Sequence, residues 1–190
     1  PFLEACGQGS LEIITELIDK QANVHETSSN GQNALWFACL HGHAHVVEFL
    51  LLQLHFDPNL ARNDGITPLM VASARGFTSI ALLLLQADAH VNTTDNEGTS
   101  AIMNAAENGS FELMNVLISF GADVNSFTPN HFTPLIIASA HGQLEIVKLL
   151  VENGAVVDLP HPDNVTALMY ASSSHHHEIV SYLIGKGSNV

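Results

Sequence analysis

The sequence predicts an all-α fold, a solenoid of stacked helix–turn–helix units. A glycine that ends a short helix recurs at steps of 33, 34, 33 and 33 residues, and a histidine stands one further step of 33 along. These positions are Gly9, Gly42, Gly76, Gly109, Gly142 and His175. Each step also contains apolar residues at helical spacing, such as Ile80, Leu83 and Leu84. This self-similarity predicts one elongated array with one continuous core.

The first helix of each unit has its clearest start at Thr67. Thr67 is a natural N-cap, and Pro68 follows at the first helical position, where its missing N–H has no cost. One residue type is the same in all six copies, namely Ala5, Ala38, Ala72, Ala105, Ala138 and Ala171. We therefore expect the two helices of each unit to approach too closely at this alanine for a larger side chain.

The second helix of the first unit is expected to turn Ile13, Leu17 and Ile18 toward the core. Between units come Gly121-Ala122-Asp123-Val124-Asn125 and its variants, in which a glycine ends a helix and an Asn- and Asp-rich turn follows.

Thr-Pro-Leu-x-x-Ala, the glycine after the first helix and Gly-Ala-Asp-Val-Asn together resemble the ankyrin repeat. The resemblance implies two helices per repeat with a β-hairpin finger beside them, and a concave face built from fingers and first helices. It implies a single ankyrin-repeat domain over 1–190. The repeats would span about 1–27 (partial), 28–61, 62–94, 95–127, 128–160 and 161–190.

Some residues depart from the family pattern. Ser28, Arg62, Thr128 and His161 stand where the family prefers Asp, and His131 and Asn164 replace a finger glycine. We expect the finger hydrogen bonds to weaken at the first four positions, and the last two to tolerate a positive φ.

The charge balance limits the partners. The chain has 5 Lys and Arg against 19 Asp and Glu, a net charge of −14 at pH 7. Nucleic acid and direct membrane contact are therefore not expected. Cys6 and Cys39 lie 33 residues apart at equivalent positions, which favours two buried thiols over a disulfide. They suit a reducing compartment, the cytoplasm or the nucleus.

The family geometry predicts a binding surface for a partner protein, either a peptide or a folded domain. First-helix positions four apart would form rows such as Phe132-Ile136-Ala140, with an apolar floor and an acidic edge. The middle residue of each row has an alternative role in packing between repeats. The candidate partner-binding residues are Trp36, Leu40, Asp64, Ile66, Met70, Arg75, Glu97, Met103, Glu107, Phe132, Ile136, His141 and Met169. The expected ligand is a segment with apolar anchors and flanking Lys or Arg, bound by a monomeric array.

Catalysis, a cofactor and a metal are not expected. The chain has no phosphate-binding glycine motif and no nucleophile turn. His41, His43 and His45 alternate and His175 to His177 are consecutive, so neither set converges on a metal, while His43 and His176 occupy a structural family position. Asn125 fits the pattern of asparagines that are hydroxylated in ankyrin repeats, or alternatively only supports its turn.

The sequence is compatible with three function classes. The first is a scaffold or adaptor that binds a protein segment. The second is the non-catalytic recognition arm of a larger enzyme, such as a ubiquitin ligase, a kinase or a secreted bacterial effector. The third is the cytoplasmic tether of a membrane or cytoskeletal protein.

Overall fold

The computed structural model describes residues 1–159 and 165–189, and within them the fold is a stack of paired α-helices. The first helices of the pairs are α1 (Phe2–Gln8), α3 (Ala34–His41), α5 (Pro68–Ala74), α7 (Ala101–Asn108), α9 (Pro134–Ala140) and α11 (Ala167–Ser173). The second helices are α2 (Leu11–Asp19), α4 (Ala44–Leu52), α6 (Thr78–Gln86), α8 (Phe111–Ser119), α10 (Leu144–Glu152) and α12 (His177–Gly185). First helices pack on neighbouring first helices and second helices on second helices, so the stack has two layers.

The predicted helix starts are confirmed. The Thr67 hydroxyl accepts a hydrogen bond from the Met70 N–H at 3.3 Å, and Thr133 and Thr166 cap α9 and α11 in the same way. The side chain of Asn33 takes this role in α3, where its oxygen accepts from the Trp36 N–H at 2.8 Å. Each cap satisfies a donor that the first turn of a helix cannot satisfy itself.

Two histidines adopt the left-handed backbone that glycine adopts in other repeats. The φ of His131 is 60° and that of His175 is 62°, against 79° for Gly98 and 74° for Gly142 at equivalent positions. The prediction for His131 is therefore confirmed, whereas His161 and Asn164 lie outside the described residues. The backbone has the same left-handed conformation at these turns whether the residue is glycine or histidine, because the packing of the neighbouring helices and fingers requires it.

The recurring alanine lies in the core, as expected. Ala5 is 3% exposed and its five equivalents are fully buried. Their side chains lie among the apolar residues of the second helices, such as Leu50, Leu84 and Leu117. A methyl group is therefore the largest side chain that fits without moving a neighbouring helix.

The inner face of α2 differs from the prediction. Ile14 is fully buried, Leu17 and Ile18 are half-buried, and Ile13 is 44% exposed. Val46, the equivalent of Ile13 in the second repeat, is fully buried. This position packs toward the preceding repeat, and no described repeat lies on that side of α2. The assignment of Ile13 to the core is therefore wrong in this chain.

The fingers are tight turns with almost no strand. In the third repeat the Arg62 N–H donates to the Ile66 carbonyl at 3.0 Å, and the Gly65 N–H donates to the Arg62 carbonyl at 2.8 Å. Among the described residues, one isolated antiparallel bridge, between Thr94 and Ser100, represents the expected β-hairpins. Each finger is too short for a ladder to extend beyond its closing pair of hydrogen bonds.

Side-chain hydrogen bonds also connect successive repeats. The Nε2–H of His43 donates to the carbonyl of Gly7 at 2.9 Å, and that of His176 donates to the carbonyl of Ala140 at 3.1 Å. The structural role predicted for these two histidines is confirmed. Each imidazole satisfies a carbonyl near the C-terminus of the preceding first helix, which has no partner within its own helix.

Candidate functional site

Fingers and first helices line a groove between the fourth and fifth repeats. Its volume is about 590 Å³. It is lined by Glu97, Thr99, Glu107, Thr128, Pro129, Asn130, Phe132 and Ile137, and we refer to this set as the finger groove. The lining joins two exposed carboxylates to an apolar wall, which is the composition expected of a protein-binding surface.

Three of the predicted site residues lie together in the finger groove. Glu97 and Glu107 are exposed, and Phe132 is half-buried with its ring centroid 5.7 Å from that of Tyr170. His141 lies next to them, since its Nε2 is 3.9 Å from a carboxylate oxygen of Glu107. Its Nδ1–H donates to the Ile137 carbonyl at 2.9 Å, which orients the ring.

Four predicted site residues are buried and form no part of an open surface. Trp36 and Ile136 are 5% exposed, and Met70 and Met103 are 1% exposed. Each lies on a first helix that is covered by the next first helix in the stack, so the side chain packs between repeats. The expectation that they form an apolar floor for a partner is corrected, and the packing role holds for all four.

Met169 lies at the same helix position but in the last described repeat. It occupies the equivalent position in α11 and is 53% exposed, because no described first helix lies beyond α11. Its exposure therefore reflects its place in the stack. It is not one of the residues that line the finger groove.

One carboxylate of the predicted acidic edge, that of Asp64, is neutralised by a local ion pair with Arg62. The Arg62 guanidinium donates to the Asp64 carboxylate, with 2.8 Å between its Nε and Oδ1, and this hydrogen bond lowers the pKa of Asp64. The same guanidinium lies over the Trp36 ring, 5.4 Å from the centroid, and helps to cover it. Asp64 is therefore compensated by its neighbour, whereas Glu97 and Glu107 line the groove with their charges exposed.

The remaining predicted residues lie on the same side of the stack but outside the groove. Leu40 and Ile66 are half-buried, and Arg75 is exposed. They belong to the second and third repeats, whereas the groove is formed by the fourth and fifth.

Sequence reasoning missed Pro129 and Ile137 as groove residues, and it also missed Thr99 and Thr128. The apolar residue that reaches the surface on α9 is Ile137, one position after the predicted Ile136. Pro129 carried a usable signal, because proline has no N–H to donate to a neighbouring finger.

Both polar groups of the Asn125 side chain make hydrogen bonds to the corresponding turn of the next repeat. Its side-chain amide donates to the Gly154 carbonyl at 3.0 Å, and its side-chain oxygen accepts from the Val156 N–H at 2.8 Å. Asn92 makes the same two contacts with Gly121 and Asp123 one repeat earlier. This geometry favours the turn-supporting role over a modified side chain, and hydroxylation of Asn125 stays a prediction.

Metal-ligating side chains and thiols are two kinds of group in the described residues that could support chemistry. Over 1–159 and 165–189, no three His, Cys, Asp or Glu side chains converge as metal ligands. Cys6 and Cys39 are free and buried, and burial raises the pKa of the Cys6 thiol to about 12 and that of Cys39 further still. Both sulfurs are therefore protonated and unreactive near neutral pH.

No described helix combines the length and apolar character that a membrane span requires. The helices are 7 to 9 residues long, as α1 and α2 show. A spanning helix needs about 20 residues.

Comparison with known proteins agrees with this architecture. Residues 2–95 and 102–190 match the family described as "Ankyrin repeats (3 copies)". A similar protein is the probable E3 ubiquitin-protein ligase XBOS33 of Oryza sativa subsp. japonica, which is 42% identical over 79 residues. That match spans 40% of this chain and 15% of the rice protein. The family match extends over nearly every residue that forms the two helix layers, and the chain belongs to the ankyrin-repeat family.

Proposed function

We propose that this chain is a protein-interaction module that binds a segment of a partner protein in the finger groove, as a scaffold or adaptor. Ankyrin repeats are protein-interaction modules, and the groove is the observation that supports this site. We further propose that the array acts as a monomer in the cytoplasm or the nucleus, where its two free thiols stay reduced.

A preformed groove supports binding of a segment in an extended or helical form. The groove walls come from first helices and fingers whose backbones are tied to neighbouring repeats. Such a surface loses little conformational entropy on binding, so most of the conformational entropy lost is that of the ligand. Phe132 and Ile137 supply apolar contact area, and the two glutamates supply charge that orients the ligand.

A selection from a random peptide library displayed on phage tests this proposal. The 190-residue chain serves as bait, and enriched peptides are synthesised and titrated against three forms of the chain. These are the wild type, Phe132→Ala in the groove and Phe111→Ala on α8. Phe111 is 49% exposed and does not line the groove, so it is a matched control for loss of an aromatic ring.

We expect the selected peptides to bind Phe132→Ala about tenfold more weakly than wild type and to bind Phe111→Ala unchanged. Circular dichroism melts verify that both variants are folded. Equal affinity for Phe132→Ala and wild type would contradict the groove as the site. A selection that enriches no binding peptide would contradict peptide binding itself.

A second candidate is the recognition arm of a ubiquitin ligase, with the catalytic part elsewhere in a longer protein. The similarity to the rice ligase supports it, although the match spans only a small part of that protein. The complete coding sequence and a ubiquitin-transfer assay on its full product test it. A full product without any ubiquitin-transfer activity would exclude this candidate and leave the adaptor proposal standing.

A further inference from the structure

The fingers of successive repeats are joined by backbone hydrogen bonds until the fifth finger interrupts the series. The Asn63 N–H donates to the Asn30 carbonyl at 3.0 Å, and the Asn96 N–H donates to the Asp64 carbonyl at 3.0 Å. The next donor in this series would be residue 129, which is a proline and has no N–H. The Glu97 carbonyl therefore receives no hydrogen bond at the position where the Asn30 and Asp64 carbonyls do.

The missing hydrogen bond does not separate the two fingers. A methyl group added at Gly98 would lie 2.5 Å from Cδ of the Pro129 ring and 3.2 Å from Cα of Thr128, so the two fingers are in close contact. The fourth finger therefore stays packed against the fifth, and only the donor for the Glu97 carbonyl is missing. A ligand that brings a donor can make the hydrogen bond that Pro129 cannot make.

The interruption coincides with the finger groove. Glu97 and Pro129 both line it, beside Thr128, whose hydroxyl accepts from the Phe132 N–H at 3.1 Å and orients the finger. Phe132 and Ile137 form the apolar side. Glu97, whose carbonyl lacks this donor, therefore lines the same groove as the apolar residues Phe132 and Ile137.

The charges around the groove favour a cation. Glu97 and Glu107 are both exposed there, on a chain with a net charge of −14. Three basic side chains of this protein are paired elsewhere: Lys20 with Glu16, Arg62 with Asp64, and Lys148 with Glu145. A ligand with positive charge is attracted over the whole surface and finds two carboxylates in the groove.

We propose that the finger groove recognises an arginine flanked by apolar residues in an extended protein segment, an inference that rests on the proposed function above. The planar guanidinium has five N–H donors and can serve the Glu97 carbonyl and a glutamate carboxylate together. A lysine ammonium is a compact charge and matches this pair of acceptors less well. The apolar neighbours of the arginine contact Phe132 and Ile137.

A set of short labelled peptides tests the proposal by fluorescence anisotropy. The probe has a single arginine between leucines in a glycine–serine background, and the comparison peptides replace that arginine with citrulline or lysine. Citrulline keeps the shape and removes the charge. We expect the arginine peptide to bind about tenfold tighter than the citrulline peptide and about threefold tighter than the lysine peptide.

Charge-matched variants locate the effect. Glu97→Gln and Glu107→Gln each remove one charge from the groove, and Glu112→Gln removes one from α8, where the side chain is exposed and does not line the groove. We expect each groove variant to weaken the arginine peptide about fivefold and Glu112→Gln to leave it unchanged. Equal weakening by all three would overturn a local site in favour of a general charge effect.

Pro129→Ala tests the role of the carbonyl. Alanine restores the N–H, so the Glu97 carbonyl gains an internal donor and the preference for arginine over lysine should fall to about one. A preference that survives in a folded Pro129→Ala chain would overturn this role. Equal binding of the arginine and citrulline peptides, or no binding by either, would overturn the arginine site, while groove-dependent peptides from the library would still support the proposed function.

Discussion

Ser73 and Ser139 each bring a hydroxyl into the core at the position that Ala106 occupies in the fourth repeat. Both residues are fully buried, and neither Oγ has a hydrogen-bond partner within the described part of the chain. A buried hydroxyl without a partner costs free energy that the folded state does not recover. The core would therefore accept alanine at either position.

We expect Ser73→Ala to raise the free energy of unfolding by about 1 kcal/mol. Ser172 occupies the equivalent position in α11 but is exposed, so Ser172→Ala should change stability very little. Urea unfolding followed by circular dichroism compares the two variants. A lower stability for Ser73→Ala would show that its hydroxyl has a partner, such as a bound water.

Asn125 supports a second residue-scale prediction. Its side chain connects two repeats through the Gly154 carbonyl and the Val156 N–H. Removing both contacts in Asn125→Ala should lower the free energy of unfolding by about 2 kcal/mol. The control is Asn115→Ala on α8, whose side chain contacts only the Phe111 carbonyl four residues before it in the same helix. Similar losses in the two variants would contradict a special role for the turn contact.

Prediction of the site from sequence succeeded at the fingers and failed in the helices. Glu97 and Phe132 follow directly from their places in a finger, where nothing covers them completely. On α9 the residue that reaches the surface is the half-buried Ile137, and the buried one is Ile136, one position away. Consecutive helix residues point about 100° apart, so an error of one position exchanges a surface residue for a core residue. Only the packing of the neighbouring helix determines which of the two is covered.

At the scale of helices, the recurring alanine controls how closely a pair can pack. Ala105 is fully buried in α7, whereas Ala74 at the end of α5 is exposed. We expect Ala105→Val to lower the free energy of unfolding by about 2 kcal/mol, because two added methyl groups have no room in the core. Ala74→Val shares the lower helix propensity of valine and should cost about 0.5 kcal/mol. Urea unfolding measures both variants. Equal losses in the free energy of unfolding would show that the lower helix propensity of valine explains the whole effect.

Helices were predictable from sequence because their start and stop signals are local. Thr67, Pro68 and Gly76 specify α5 within a few residues, and the structure confirms the cap. The form of the fingers was less predictable. A hairpin of this length becomes a strand pair only if neighbouring fingers extend its hydrogen bonds, and that depends on residues about 33 positions away.

For the whole molecule, the linear stack predicts unfolding from its ends. Each repeat contacts only its neighbours, so in the 190-residue chain the repeat of α1 and α2 has one described neighbour and an internal repeat has two. Cys6 in α1 and Cys39 in α3 report on this difference, because both thiols are buried and unreactive in the native state. Under increasing urea, we expect iodoacetamide to modify Cys6 at a lower concentration than Cys39.

Mass spectrometry after a short pulse of reagent distinguishes the two sites, and Cys6→Ser and Cys39→Ser variants verify the assignment. Modification of both cysteines at one urea concentration would indicate that the array unfolds as a single cooperative unit.

The central proposal for this protein is that a partner occupies the finger groove. Hydrogen exchange of the 190-residue chain, free and with a peptide from the library selection, tests this most directly. We expect slower exchange in residues 97–99 and 128–137, with α8 and α10 unchanged. Slower exchange confined to α8 and α10, with no change in the two fingers, would show that the partner binds the second-helix layer and would contradict binding in the finger groove.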